Sequence, residues 1–218
     1  MLRLRGPCAG LVAPVALCAL FAGTAWGAPP GIDALLQAIR RAPPASTPFV
    51  EAHFSRLLTR PLVVSGTLEY LGPDALARTV ERPYHERTEI RGDNVKVERQ
   101  GERARTFSLQ RAPELKSLLS SFAALLAGDR ASLEQQFQIE VHGLTARWRL
   151  ELTPRDARVR SRVAEITMTG GQSEPRCLET VQPGDELTIM LLAHAAEASV
   201  PPAADRAWFE AQCRGTTR

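Results

Sequence analysis

Apolar and polar residues alternate along most of this chain, most plainly between Leu62 and Leu109. Leu62, Val64, Gly66, Leu68 and Tyr70 share one parity, and Ser65, Thr67 and Glu69 the other. That is the signature of a strand with one oily and one wet face. Turn residues at Gly72-Pro73-Asp74, Arg82-Pro83, Arg91-Gly92-Asp93-Asn94 and Gln100-Gly101 divide the stretch. Their regular spacing predicts five strands in an antiparallel meander. Ahead of it, Val50, Ala52, Phe54 and Leu58 alternate with Glu51, His53 and Ser55. His53 is therefore expected on a polar, solvated side.

The period changes twice more. Ile32, Leu35, Leu36 and Ile39 stand at helical spacing before Pro43-Pro44, predicting a short amphipathic helix. Leu115, Leu118, Leu119, Phe122 and Leu126 recur at i, i+3, i+4, i+7 and i+11 behind Pro113, predicting a second helix with proline at its first position. Gly128 suits its C-terminal cap, and Asp129 the N-cap of a third helix carrying Leu133 and Phe137. The leucine stripe reads either as core or as a movable lid over a cavity. Strands then resume at Gln138. Leu144, Ala146, Trp148, Leu150 and Leu152 alternate against Thr145, Arg147, Arg149, Glu151 and Thr153. Three further strands are expected over 159–169, 177–181 and 187–192, and a short helix through Trp208 and Phe209 near the end.

The first residues read differently. Met1 to Arg5 is cationic, Leu11 to Ala22 is a short apolar run, and Ala25-Trp26-Gly27 offers small residues for cleavage. Residues 1–27 are read as a secretory signal peptide, too short in its apolar run for a membrane anchor. Leu17 before Cys18 argues against a lipoprotein signal. Residues 28–218 are then one domain, large enough for a real core. Loss of Arg3 and Arg5 brings the formal charge from +3 to +1, so no global field for nucleic acid exists. Arg147, Arg149, Arg155, Arg158, Arg160 and Arg162 make one locally basic region, either a solvated face or a docking patch for an acidic partner or lipid headgroups. Cys177 and Cys213 remain after processing; in an exported protein a disulfide is the first reading, with a metal site or free thiols as alternatives.

Chemistry-bearing motifs are missing. The chain has no nucleophile elbow, Walker loop, dinucleotide fingerprint or paired-histidine metal motif, and His53, His85, His142 and His194 are far apart. No enzyme activity, cofactor or metal is expected. The Gly-Asp pairs at Gly92-Asp93, Gly128-Asp129 and Gly184-Asp185 read as turn and cap residues.

An antiparallel sheet of about ten or eleven strands is too large to stay flat and should curl. Such an α+β half-barrel, incompletely closed and covered by helices, either packs solid or leaves an apolar hollow; the pattern leaves both open. The local phrases point further. Ser65-Gly66-Thr67-Leu68-Glu69-Tyr70 followed by Pro73, a proline at Pro83, the Arg91-Gly92-Asp93 hairpin, the leucine-rich helix to Leu126-Ala127-Gly128-Asp129, and Trp148-Arg149-Leu150-Glu151-Leu152-Thr153-Pro154 stand in one order. This order resembles the LolA-like periplasmic lipoprotein-carrier family, closest to its divergent LolA-related branch, over roughly residues 32–192. The resemblance implies a curled, unclosed barrel with a helical lid, holding lipoprotein acyl chains or another amphiphilic lipid. It also implies a periplasmic monomer that takes cargo from an inner-membrane exporter and delivers it to an outer-membrane acceptor. The cavity and lid residues it implies are Leu68, Tyr70, Leu115, Leu118, Leu119, Phe122, Trp148 and Leu150. Housekeeping members have a lid-holding arginine where this chain has Gly72, so that latch is absent. The alternative implied by the fold is a lipid-sensing or regulatory module of the envelope that transports nothing.

Overall fold

The computed structural model describes residues 31–111 and 113–215; the leader expected over residues 1–27 lies outside them. Helix α1 (Ile32–Ile39) leads into strands β1 (Ala45–Phe54), β2 (Leu62–Gly72), β3 (Ala75–Arg82), β4 (Glu86–Arg91), β5 (Asn94–Arg99) and β6 (Arg105–Ser108). A 3₁₀ turn (Leu109–Arg111), α2 (Pro113–Ala127) and α3 (Arg130–Gln136) follow. The chain continues through β7 (Phe137–Leu144), β8 (Arg147–Pro154), α4 (Ala157–Arg160), β9 (Glu165–Gly171), β10 (Glu174–Gln182) and β11 (Glu186–Leu192). It ends in a second 3₁₀ helix (Ala193–Glu197) and α5 (Arg206–Arg214).

All eleven strands form one antiparallel sheet in the order β6-β5-β4-β3-β2-β1-β11-β10-β9-β8-β7. The five-strand meander of Leu62–Ser108 is thus one wing, β7 to β11 is the other, and β1 meets β11 at the centre. The edge strands β6 and β7 are not paired in this order, so the curled sheet stays open, and α2–α3 crosses from one edge to the other.

The local signals work as their chemistry requires. Pro113 opens α2. Gly128 ends it at a φ of 73°, a conformation that costs a glycine nothing. Asp129 caps α3 by accepting from Ser132 N at 3.1 Å. Phe137 falls outside that helix and begins β7, and Leu144 ends β7, with Thr145–Ala146 as the turn into β8.

Register divides the sheet into two faces, and both carry core. On the inner face, Trp148, Leu150, Leu152, Ile166 and Met168 pack against Leu35, Leu36 and Ile39 of α1, Ala124 and Leu125 of α2, and Leu133 of α3. Phe49, Val64, Val80, Met190 and Leu192 continue this layer at the centre. On the outer face, Val50, Ala52, Leu187, Ile189 and Leu191 are covered by Ala195 and by Phe209 and Cys213 of α5. Cys177 and Cys213 are joined as a disulfide, with Cα atoms 5.4 Å apart, fastening α5 to β10. Burial beneath this layer pushes the Glu179 carboxyl up, against the pull of Arg149.

The expectation for β1 needs correction. The strand ends at Phe54, and Leu58 lies beyond it, 44% exposed. Its side carrying Glu51 and His53 is the inner face, not a solvated one. There His53 is half-buried, with Nε2 2.9 Å from Glu186 and Nδ1 3.2 Å from the Thr188 hydroxyl.

Candidate functional site

The inner face is filled at one wing and hollow at the other. Beneath α1–α3 the protein's own side chains close the space: Trp148 is 1% exposed and Leu150 0%. The indole lies over Gly170, where an added Cβ would come within 2.4 Å of the ring, and its Nε1 donates to the Gln172 carbonyl at 3.0 Å. Between α2 and the ends of the β2–β3 and β4–β5 hairpins lies a cavity of about 300 Å³. Leu76, Ile90, Leu109, Leu119 and Ala123 supply its apolar wall, while Asp74, Asp93, Lys116 and Ser120 edge it.

The expected cavity and lid residues therefore separate. Leu119 lines the hollow. Phe122, Trp148 and Leu150 come together in the core under the helices. Leu68 packs beside Phe49 and Val64. Tyr70 is buried opposite Leu76 on the inner face. The side chains of Leu115 and Leu118 lie outside the described residues. Leu76, Ile90 and Leu109 were missed as wall residues: the short apolar runs of β3 and β4 are diluted by arginine and glutamate, and Leu109 stands alone in a 3₁₀ turn. Also missed was a charged pair on the inner face. Arg78 Nη2 donates to Glu51 at 2.9 Å, and its guanidinium lies 4.8 Å from the centre of the Phe49 ring.

The helix over the hollow is tied at both ends. At its C-terminal end, Arg41 N donates to the Leu126 carbonyl at 3.0 Å. In the adjoining α3, Arg130 is paired with Asp33 of α1 at 2.7 Å. At the N-terminal end, among the described side chains, Lys116 Nζ meets Asp93 at 2.5 Å across the mouth. Gln110 Nε2 donates to the same carboxylate at 3.2 Å. These contacts tie the start of α2 and the 3₁₀ turn before it to the β4–β5 turn.

Hydrogen bonds from Lys116 and then Gln110 hold the Asp93 carboxyl below its ordinary value. The folded value is the lower one, so this tie is complete above the ordinary carboxylate range and is lost as pH falls through the depressed value. Hydrogen exchange in the first half of α2 is expected to rise at acidic pH. In Asp93→Asn it is expected to be raised already at neutral pH while α3 stays protected; equal protection of α2 in both proteins would remove the ion pair from this account.

The described side chains include one group with metal-ligand atoms close together. Glu140, His142 and Glu151 bring theirs within 4.8 Å of one another on the outer face. His142 Nε2 is 3.5 Å from Glu140 and 3.7 Å from Glu151 in exposed ion pairs. The arginine-rich stretch is also partly spoken for: Arg155 and Arg160 donate to backbone carbonyls of Glu134, Phe137, Pro154 and Arg155.

A family profile described as "Outer membrane lipoprotein carrier protein LolA-like" matches residues 26–215. The chain belongs to this LolA-like family. Its likeness to solved structures is distant in sequence. A LolA superfamily protein from Nitrosomonas europaea is 11% identical, with a TM-score of 0.39, covering 74% of this chain and 90% of that one. A DUF1329 family protein from Desulfovibrio piger is 10% identical, with a TM-score of 0.40, covering 75% and 90%. No curated protein sequence matches this LolA-like chain. Among its described residues no helix is long and apolar enough to cross a membrane.

Proposed function

We propose that this LolA-like protein is a periplasmic carrier. It would hold the acyl chains of a lipoprotein, or another amphiphilic lipid, between the inner sheet face and α2, and pass them from an inner-membrane exporter to an outer-membrane acceptor. The observation that carries this reading is the hollow under α2, apolar in its wall and polar at its edge. Each CH₂ moved out of water there contributes about 0.8 kcal/mol, and no covalent step or nucleotide is required. The hollow, partly open to solvent, is at the small end of ligand pockets, which run from about 300 to 1,000 Å³. A long acyl chain therefore needs α2 to move. The tie at Lys116 is an ion pair across the mouth that can open, whereas Leu126 is bound through the backbone, which supports a swing about the C-terminal end. Trp148, Leu150, Phe122, Leu68 and Tyr70 would join the binding surface as it opens, together with Leu115 and Leu118.

Quenching of the buried Trp148 by a bound acyl probe is the test. Leu119→Glu places a carboxylate in the apolar wall and is expected to abolish the quenching, with unchanged circular dichroism. Full quenching in a folded Leu119→Glu protein would reject the site. Mass spectrometry of organic extracts from the purified protein identifies the cargo directly.

A further inference from the structure

The β1–β2 loop stands at the opposite end of its strands from the cavity mouth, because the mouth is built from the β2–β3 and β4–β5 turns. Its tip is oily. Leu57 is 91% exposed, Leu62 50% and Leu58 44%. One exposed leucine on a surface is ordinary; three within residues 57–62 form a patch.

This loop is braced rather than loose. The Ser55 hydroxyl donates to Glu186 at 2.6 Å and accepts from Leu57 N at 3.1 Å. Leu58 N donates to the Ser55 carbonyl at 3.1 Å, and Arg56 is ion-paired with Asp185 of the β10–β11 turn. These contacts hold the leucines outward.

Cations stand at this end of the sheet. Arg56 and Arg60 flank the leucine pair. The β8–β9 connection leaves the sheet at the same end, joined to β10 by Ala164 N donating to the Val181 carbonyl at 2.8 Å, and it brings exposed Arg158 and Arg162. The nearby anions are engaged: Asp185 by Arg56, Glu186 by His53 and Ser55, and Asp156 by the amides of Arg158 and Val159.

We propose that this rim docks on an anionic lipid surface. Leu57 and Leu58 enter the headgroup–acyl boundary while Arg60, Arg158 and Arg162 meet the phosphates. A lipid surface fits better than a protein groove, since the leucines project from a loop tip and the charge at this end of the sheet has a single sign to spare. The inference does not depend on what the cavity holds. Docked this way, the protein keeps its cavity mouth turned away from the leaflet it rests on.

Sedimentation of the processed protein with vesicles tests this. Retention is expected on phosphatidylethanolamine–phosphatidylglycerol vesicles, weakened by salt, and little on phosphatidylcholine alone. Leu57→Glu/Leu58→Glu is expected to lower retention by about tenfold or more, and Arg60→Glu by roughly tenfold. Leu57→Trp is expected to shift its emission to the blue when anionic vesicles are added. All are surface changes, checked by unaltered thermal melting. Absent retention on either vesicle, equal retention on both, or full retention of the folded double-glutamate variant would each overturn the proposal.

Discussion

Trp148→Ala is expected to destabilise the protein by about 3–5 kcal/mol, the range for emptying a large aromatic site in a packed core. The indole is 1% exposed and sits among α1, α2 and β9 side chains that cannot easily collapse inward. Its loss also leaves the Gln172 carbonyl without the indole donor. Urea denaturation reads the change, and Trp148→Phe is expected to recover most of it. A loss below about 1 kcal/mol would mean that this wing is looser than its burial indicates.

Replacing Cys177 and Cys213 together by serine is expected to cost roughly 3–4 kcal/mol, because the bridge closes a long loop in the unfolded chain. The bond spans 36 positions and holds Phe209 against Val50, Ala52 and Ile189. Without it, α5 keeps its Asp205 cap and its edge-to-face contact with Phe54, whose ring centre is 5.8 Å away. Exchange protection should therefore fall first in α5 and β10, with α2 unaffected. Thermal melting with and without reductant gives the same comparison, and coincident curves would show that packing alone secures the outer layer.

Much of this architecture was legible because period and punctuation agreed. Pro113, Gly128 and Asp129 each sit where local chemistry puts them, and the turns at Gly72, Gly92 and Gly184 separate the expected strands. What alternation could not convey is which faces receive a cover. For β1, Val50, Ala52 and Phe54 gave an oily side, yet that side meets α5 from the far end of the chain, whereas Glu51 and His53 look inward. The site was legible only in part for a similar reason. Leu119 was found from the leucine stripe, but Leu76 and Ile90 come from strands interleaved with arginine and glutamate, Leu109 comes from the 3₁₀ turn after β6, and only the fold brings them beneath one helix. The Lys116–Asp93 tie joins a helix to a hairpin turn, and nothing in either segment names the other.

The seam at the middle of the sheet has a consequence for how the protein is made. Residue 49 lies opposite residue 192 there, so a chain emerging amino end first can complete its early wing but must wait for nearly all of its length before the halves zip together. Distant pairing of this kind is slow. Until the last strand arrives, β1 offers a bare hydrogen-bonding flank, and whatever shields it in that interval protects the nascent chain from pairing with another.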